Sequence, residues 1–231
     1  MPKIVIPSIF TFLNMLSGFL SIYCSFNNNF EYASYLIMLA SIFDMIDGRL
    51  ARALKIISEV GKQLDSFSDF ITFGTAPAFL FLNIMRNKIN IYILIIISFI
   101  YVINATLRLS LYNIKESNPD EFKGMPSTFA GISISSILGF NYIGSTINIT
   151  YFEINKYIFI PIFLIYAFLM VSNIKYRKFS SLMLRFNKMK NIFFNILFIT
   201  LLILFFKYFM IIFVILYTLT PALDNYVNKK N

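Results

Sequence analysis

Four aspartates between residues 44 and 69 are the side chains of this sequence best suited to chemistry: Asp44, Asp47, Asp65 and Asp69. They are four of only 11 acidic residues in a strongly apolar chain. Carboxylates that lie beside apolar segments are costly to bury, so they require a partner. Aspartate oxygens are hard ligands that suit magnesium, calcium or manganese. The cluster therefore predicts a divalent metal site.

The spacing of these residues predicts that they lie on the faces of two consecutive helices. The first face holds residues at offsets of three, four, seven and eight from Asp44, namely Asp47, Gly48, Ala51 and Arg52. The second face holds residues at intervals of four, namely Gly61, Asp65 and Asp69. Two such helices would direct four carboxylates at one point, with glycines where a ligand approaches the backbone and an arginine suited to a phosphate. A polar contact between helices is the structural alternative.

The pattern Asp-x2-Asp-Gly-x2-Ala-Arg-x8-Gly-x3-Asp-x3-Asp, from Asp44 to Asp69, resembles the signature of the CDP-alcohol phosphatidyltransferases at all its fixed positions. This resemblance implies a divalent cation, Mg²⁺ or Mn²⁺ and expected as two ions, held by Asp44, Asp47, Asp65 and Asp69. It further implies that Asp69 acts as a ligand or as the general base. The residues it implies for binding the CDP-lipid are Gly48, Ala51, Arg52 and Gly61.

Two further stretches resemble the branch of this family that uses serine in bacteria and archaea. The first, Pro-x3-Thr-x2-Asn-x3-Gly, adds Thr11 and Asn14 to the residues implied for binding the CDP-lipid. The second runs from residue 107 to residue 131 and implies an acceptor site made by Arg108, Asn113 and Lys123. The chain departs from the branch at three positions, where the branch often has asparagine, a basic residue and proline: Ser8, Leu111 and Thr128.

The resemblance to this branch implies transfer of the phosphatidyl group from CDP-diacylglycerol to the hydroxyl of L-serine, giving phosphatidylserine and CMP. The central signature would equally serve another acceptor, glycerol-3-phosphate or inositol phosphate, or an archaeal ether-lipid donor. A membrane ion transporter is the alternative from a different class. Transporters usually hold such carboxylates at the midplane in broken helices, often with internal repeats, and no repeat is visible here.

The composition indicates an integral membrane protein, because 58% of residues are hydrophobic and the mean hydropathy is +0.73. A transmembrane helix needs about twenty apolar residues. The candidate segments cover residues 9–26, 32–53, 61–85, 91–112, 129–149, 157–172 and 192–219, the last divided at Lys207. We predict an all-α bundle of about eight transmembrane helices, six catalytic and two C-terminal, in one domain over residues 1–231. A single tilted helix over residues 192–219 is the alternative.

The net charge of +9 lies mainly in short connections between apolar segments. This distribution predicts contact with anionic lipid headgroups and no nucleic-acid partner. Eight spans would place both ends of the chain and the aspartates on the more positive side, which faces the cytoplasm in a cell membrane. The expected partners are CDP-diacylglycerol, L-serine and membrane lipids, and a homodimer is compatible with the sequence.

This topology can be tested with single cysteines in a Cys24→Ser background. Cysteines in place of Lys62 and Lys123 should react with an impermeant reagent only from the cytoplasmic side. Cysteines in place of Lys88 and Lys156 should react only from the outside, because the positive-inside rule puts their connections there. Labelling of position 62 from the outside would invert the orientation.

Overall fold

The computed structural model describes residues 2–54, 58–114, 121–141, 156–177 and 214–221, and most of these are helical. The helices are α1 (Pro2–Phe26), α2 (Phe30–Ala53), α3 (Glu59–Asp69), α4 (Ala76–Met85), α5 (Ile91–Ile114), α6 (Ser127–Asn141), α7 (Lys156–Val171) and α8 (214–221). A π-helical turn, Phe70–Thr75, joins α3 directly to α4.

The polarity of α1 shows that the bundle is built for an apolar solvent. Its buried positions include small polar side chains, namely Thr11, Asn14, Ser17, Ser21 and Ser25. Its exposed positions carry large apolar ones, namely Ile9, Phe12, Leu16, Phe19 and Tyr23. Small polar residues let membrane helices approach closely and form hydrogen bonds between them. Ser21 does so when its hydroxyl donates to the carbonyl oxygen of Ala33 in α2 at 2.8 Å.

Three helical segments of the described residues are long and apolar enough to cross a membrane: Ser8–Phe26, Glu59–Met85 and Ile91–Asn113. Helix α2 has 24 residues, but the charges along it lower its hydropathy. Helices α6 and α7 contribute shorter apolar segments, Ser127–Gly139 and Ile158–Val171. A mainly helical membrane protein is therefore confirmed, whereas the count of eight spans stays a prediction. Most of residues 192–219 lies outside the described residues. The end of that segment is described and forms α8.

The π-helical turn accommodates Pro77 within the helical segment Glu59–Met85. Proline has no backbone N–H, so the carbonyl oxygen of Phe73, four residues earlier, loses its usual helical partner. The hydroxyl of Tyr101 in α5 donates to that oxygen at 3.1 Å. The N–H of Ala76 bonds instead to the carbonyl oxygen of Ile71, in the longer π pattern. The segment therefore continues through Pro77 and is joined to α5 at the same point.

The apolar core centres on aromatic contacts between α4, α5 and α7. The rings of Phe81 and Phe163 stack with centroids 4.0 Å apart, and the ring of Tyr101 lies 4.8 Å from that of Phe163. Each of these three side chains is fully buried. Such pairs stabilise by about 0.5–1.5 kcal/mol beyond the area that they bury. This core holds α5 and the π-helical turn in fixed relative positions.

Two short strands correct the all-α prediction. Strand β1 (Glu121–Lys123) pairs antiparallel with β2 (Lys175–Arg177), with Phe122 opposite Tyr176. The connection between α5 and α6 is thereby joined to the residues after α7. Two further backbone hydrogen bonds continue this link, from Gly124 N–H to the Ile174 oxygen at 2.8 Å and from Met125 N–H to the Leu169 oxygen at 2.9 Å.

Replacing Gly124 by alanine should destabilise this link. Gly124 has a φ of +76°, and a Cβ there would collide with the backbone carbonyl of Met170. We expect a loss of several kcal/mol, because the left-handed backbone alone costs about 1–2 kcal/mol and the collision adds to it. The measurement is the thermal unfolding midpoint of the purified protein in detergent.

Asn28 offers a matched control, because it is exposed and has a φ of +60°. Asn28→Ala keeps the backbone strain without a collision, so it should lower the midpoint less than Gly124→Ala. Equal shifts in the two variants would show that the contact with Met170 is unimportant.

Candidate metal and acceptor site

Three of the four aspartates form a compact group. The carboxylates of Asp44 and Asp47 on α2 and of Asp65 on α3 each offer an oxygen, and these oxygens all lie within 4.8 Å of one another. The helix-face spacing thus predicts this convergence correctly. Asp47 is buried, and the other two are partly buried. Three carboxylates this close repel one another in a medium of low dielectric constant, so the arrangement calls for positive charge between them.

Asp69 lies one turn deeper in α3, outside this three-carboxylate group. It is 9% exposed, and the amide Nδ2 of Asn14 donates to its Oδ1 at 3.3 Å. It still interacts electrostatically with Asp44 and Asp65. Directly after it the chain enters the π-helical turn, and such turns occur frequently at functional sites. Asp69 is therefore not a member of the three-carboxylate group, but its charge interacts with those of Asp44 and Asp65.

Polar side chains of α1 hold two of the four carboxylates by hydrogen bonds. The hydroxyl of Thr11 in α1 donates to Oδ2 of Asp47 at 2.9 Å, while Asn14 serves Asp69. Thr128, in the first turn of α6, interacts electrostatically with Asp44. The contacts of Thr11 and Asn14 put them beside the carboxylates, and the lipid-binding role expected for them stays a prediction. Thr128 appears in the sequence only as a departure from the family branch, so its contact with Asp44 could not be foreseen.

Asp65 has a carboxylate oxygen that is available to coordinate a cation. Its Oδ1 is buried and has no hydrogen-bond partner within the described residues. A buried carboxylate oxygen without a donor costs about 1–3 kcal/mol or more, and a cation between the carboxylates would remove that cost. Hard oxygen donors from two rigid helices fit a divalent cation of the magnesium or manganese class. The residues present therefore fit the predicted metal.

The residues expected to bind the nucleotide lie beside this group. Gly48 follows Asp47, and a Cβ at Gly48 would meet only the guanidinium of Arg52, at 3.7 Å. Arg52 itself is exposed, whereas Ala51 is partly buried on the same helix. Gly61 lies in the first turn of α3, where its N–H bonds to the Ser58 hydroxyl that caps the helix at 3.0 Å. An exposed arginine whose guanidinium lies over a glycine is compatible with a phosphate ligand.

Arg108 provides positive charge near Asp69. It lies near the end of α5 and interacts electrostatically with Asp69 and Asp44. Its Nη1 donates to the hydroxyl of Ser127 at 3.2 Å, and its guanidinium lies 5.2 Å from the ring centroid of Tyr112. An arginine held this way beside carboxylates is not simply extending to lipid headgroups. The functional interpretation of Arg108 is therefore favoured over snorkelling.

The two other expected acceptor residues have different surroundings. Asn113 contacts α3 in two ways. Its Nδ2 donates to the hydroxyl of Ser66 at 2.9 Å, and its backbone carbonyl oxygen accepts from Nζ of Lys62 at 3.1 Å. It therefore lies next to the turn that carries Asp65. Lys123 is exposed on β1, opposite Lys175. Its role at the acceptor site stays a prediction.

Helix α8 contributes a residue that sequence reasoning did not identify. The ring centroid of Tyr217 lies 3.9 Å from that of Phe129 and 5.7 Å from that of Tyr176. Tyr217 also interacts electrostatically with Arg108. Ser127, which binds Arg108, was also missed. A serine at the start of an apolar helix, after a proline, is a helix-start signal but says nothing of its partner. No sequence signal indicates that Tyr217 packs near α5.

Comparisons with known proteins give a consistent result. Residues 4–170 match the model of the CDP-alcohol phosphatidyltransferase family. A protein of Bacillus subtilis named CDP-diacylglycerol–serine O-phosphatidyltransferase is 37% identical over 137 residues, which is 59% of this chain and 76% of the relative. One of the same name from Helicobacter pylori is 28% identical over 184 residues, 77% of this chain and 74% of the relative. The archaetidylserine synthase of Methanothermobacter thermautotrophicus is 38% identical over 136 residues, 58% of this chain and 57% of the relative.

Asp65→Asn should weaken metal binding with little change in side-chain volume. We expect the Mn²⁺ concentration that gives half-maximal thermal stabilisation of the purified protein to rise at least about tenfold, because one of three charged ligands is removed. Glu59→Gln makes the same charge change at an exposed acid in the first turn of α3 and should leave that concentration unchanged. Equal Mn²⁺ responses in the two variants and the parent protein would contradict the metal site.

Proposed function

The chain belongs to the CDP-alcohol phosphatidyltransferase family, and from that premise we propose that it transfers the phosphatidyl group of CDP-diacylglycerol to L-serine, giving phosphatidylserine and CMP. The observation that carries the proposal is that Asp69 interacts with two kinds of charge. Asp44 and Asp65 of the three-carboxylate group interact with it electrostatically, and so does Arg108. An acidic, metal-binding half for the donor and a cationic half for the acceptor thus meet at one carboxylate.

The donor half of the site would hold the diphosphate of CDP-diacylglycerol. Asp44, Asp47 and Asp65 would bind the divalent cations, expected as two, with Asp69 at their margin. Bound there, the cations would neutralise the phosphates and the charge that develops on the departing CMP. The nucleotide and its phosphates would contact the remaining signature residues and the α1 pair, namely Gly48, Ala51, Arg52, Gly61, Thr11 and Asn14. This assignment is supported by the exposure of Arg52 and by the position of its guanidinium over Gly48.

The transfer itself requires a base for the acceptor hydroxyl. The bond that forms joins the serine oxygen to the phosphorus that carries diacylglycerol, and the bond that breaks joins this phosphorus to the oxygen of CMP. The hydroxyl proton would pass to Asp69, the carboxylate outside the three-carboxylate group. Asn14 holds Asp69 by a hydrogen bond, so the base would keep a fixed orientation toward the acceptor.

The acceptor half would recognise serine through Arg108. Serine is small and zwitterionic, so its carboxylate needs a fixed cation and its ammonium needs oxygen acceptors. Arg108 is the cation, and Asn113 and the neighbouring carboxylates offer the oxygens, with Lys123 as an outer contributor. Acceptors that carry a phosphate would favour several converging cations, and Leu111 is apolar where the branch often has one. The names of the bacterial and archaeal relatives support serine, and the family match disfavours ion transport.

The location of the site supports a cytoplasmic reaction at the cell membrane. The aspartates, Arg108 and the start of α6 all lie toward one end of the helix bundle, where a soluble acceptor can enter from water. The positive-inside rule assigns that end to the cytoplasm. The nature of the lipid chains and a homodimeric assembly stay predictions.

The deciding experiment offers purified protein one donor and several acceptors separately. CMP release from CDP-diacylglycerol is measured with Mn²⁺ and with serine, glycerol-3-phosphate or inositol phosphate. We expect release with serine and its loss on removal of the cation with a chelator. Release with glycerol-3-phosphate but none with serine would overturn the serine assignment and leave the family membership intact.

Arg108→Ala should raise the apparent KM for serine at least about tenfold and change the KM for CDP-diacylglycerol much less. A charge-assisted contact to the serine carboxylate is removed, whereas the donor contacts remain. Steady-state kinetics with each substrate varied in turn measure the two constants. Lys88→Ala removes an exposed cation at the opposite end of the bundle and is the control. Equal effects of Arg108→Ala on both constants would move this arginine to the donor half or to general packing.

A further inference from the structure

Thr11 links the aspartates of α2 to those of α3 through two separate hydrogen bonds. Its hydroxyl donates to Oδ2 of Asp47 on α2 at 2.9 Å. Its backbone carbonyl oxygen accepts from the hydroxyl of Ser68 on α3 at 3.0 Å. Ser68 follows Asp65 by three residues and directly precedes Asp69, so it belongs to the part of α3 that carries both aspartates. One residue of α1 thus contacts both helices that carry the metal-binding carboxylates.

A second link of the same kind lies one turn further along α1. The amide Nδ2 of Asn14 donates to Oδ1 of Asp69 at 3.3 Å, and its backbone carbonyl oxygen accepts from the hydroxyl of Thr72 at 3.0 Å. The backbones of α1 and the π-helical turn also approach closely, because a Cβ placed at Gly18 would lie only 2.8 Å from the Cα of Thr72. Both linking residues of α1 therefore give the side chain to an aspartate and the backbone oxygen to a hydroxyl.

The burial of these groups makes the two links hard to displace. Thr11 is buried, and Asn14, Ser68 and Thr72 are fully inaccessible to solvent. A buried hydroxyl that loses its partner cannot bond to water instead, so each bond resists movement of one helix relative to the other. The segment that carries Asp65 and Asp69 is therefore fixed to α1 at two successive levels.

The three-carboxylate group requires such a frame, because its members come from two helices that scarcely touch. Asp44 and Asp47 belong to α2 and Asp65 to α3, yet their oxygens lie within 4.8 Å of one another. Within the described residues, α1 packs along both α2 and α3, whereas α2 and α3 have little direct packing with each other. Loss of an outer hydrogen bond that orients a ligating side chain typically lowers metal affinity about 10- to 100-fold.

We propose that Thr11 and Ser68 are positioning residues, which together set the place of the α2 carboxylates relative to that of Asp65 through α1. The family resemblance implies a lipid-binding role for Thr11, and Ser68 lies at a position that the signature leaves variable. The inference rests on the metal site of the proposed function but not on the identity of the acceptor. It is therefore tested by metal binding in the absence of any substrate.

Thr11→Val tests the bond to Asp47, because valine keeps the shape of threonine and removes its hydroxyl. The Mn²⁺ concentration for half-maximal thermal stabilisation of the purified protein, the Mn²⁺ midpoint, should rise about tenfold. Thr11→Ser keeps the hydroxyl and should stay within about twofold of the parent value. Thr106→Val is the control for this exchange, since Thr106 is exposed on α5 and its hydroxyl bonds to the Val102 oxygen of its own helix.

Ser68→Ala tests the bond to α1, and Ser21→Ala is its matched control. Both serines are fully buried, and the hydroxyl of each donates to a backbone oxygen of a neighbouring helix, at 3.0 Å from Ser68 and 2.8 Å from Ser21. The two variants should therefore lose similar thermal stability without metal. Only Ser68→Ala should raise the Mn²⁺ midpoint, about threefold, because the bond of Ser21 reaches α2 at Ala33, about three helical turns before Asp44.

Two results would overturn the inference. The first is a parent protein that responds to Mn²⁺ and an unchanged midpoint in both Thr11→Val and Ser68→Ala. If Thr11→Val then raised the KM for CDP-diacylglycerol, Thr11 would contact the lipid alone. The second is an equal rise of the midpoint in Ser68→Ala and Ser21→Ala, which would show that loss of any bond between these helices has the same effect. A parent protein with no Mn²⁺ response would instead refute the metal site, and the inference with it.

Discussion

Repulsion among four aspartates in an apolar bundle is the constraint on which the rest of this structure depends. Three carboxylates with oxygens within 4.8 Å of one another do not remain together unless surrounding groups hold them. Hydrogen-bond donors come to them from α1, and a partly buried arginine comes from α5. The helices that surround the aspartates therefore also supply polar contacts to them. The remaining deficit, the unsatisfied oxygen of Asp65, is where a cation is most needed.

This constraint also accounts for the distribution of polarity in the bundle. Large apolar side chains such as Phe19 and Tyr92 lie outside, while buried serines and threonines line the contacts between helices. Several of these hydroxyls bond to a carbonyl of their own helix, as Ser34 and Ser133 do. Those near the cluster instead cross between helices, as Ser68 does to the Thr11 oxygen at 3.0 Å. Polar contacts between helices thus occur beside the charges, and also elsewhere in the bundle, as at Ser21.

Helical periodicity explains which parts of the site could be predicted from sequence. Asp44, Asp47 and Asp65 lie within two consecutive helices, so spacing alone indicates that they converge. The contacts of Thr128 and Tyr217 depend on packing between helices far apart in sequence, which spacing does not encode. Strands of three residues are too short to show an alternating pattern, and the π-helical turn has no periodic signal of its own. Pro77 marks that region, but only the structure reveals Tyr101 as the compensating donor.

The π-helical turn has a consequence for how this chain tolerates changes in length. A π turn accommodates one more residue than an α-helical turn, and each residue of an α-helix rotates the chain by about 100°. Deleting one residue between 70 and 75 would let ordinary α-helical pairing resume, yet it would rotate α4 by roughly that angle relative to Asp69. Phe81 would then turn away from Phe163 toward lipid while Asp69 kept its neighbours. Homologous chains that keep both the aspartates and this core should therefore conserve the length of the segment more strictly than its residue types.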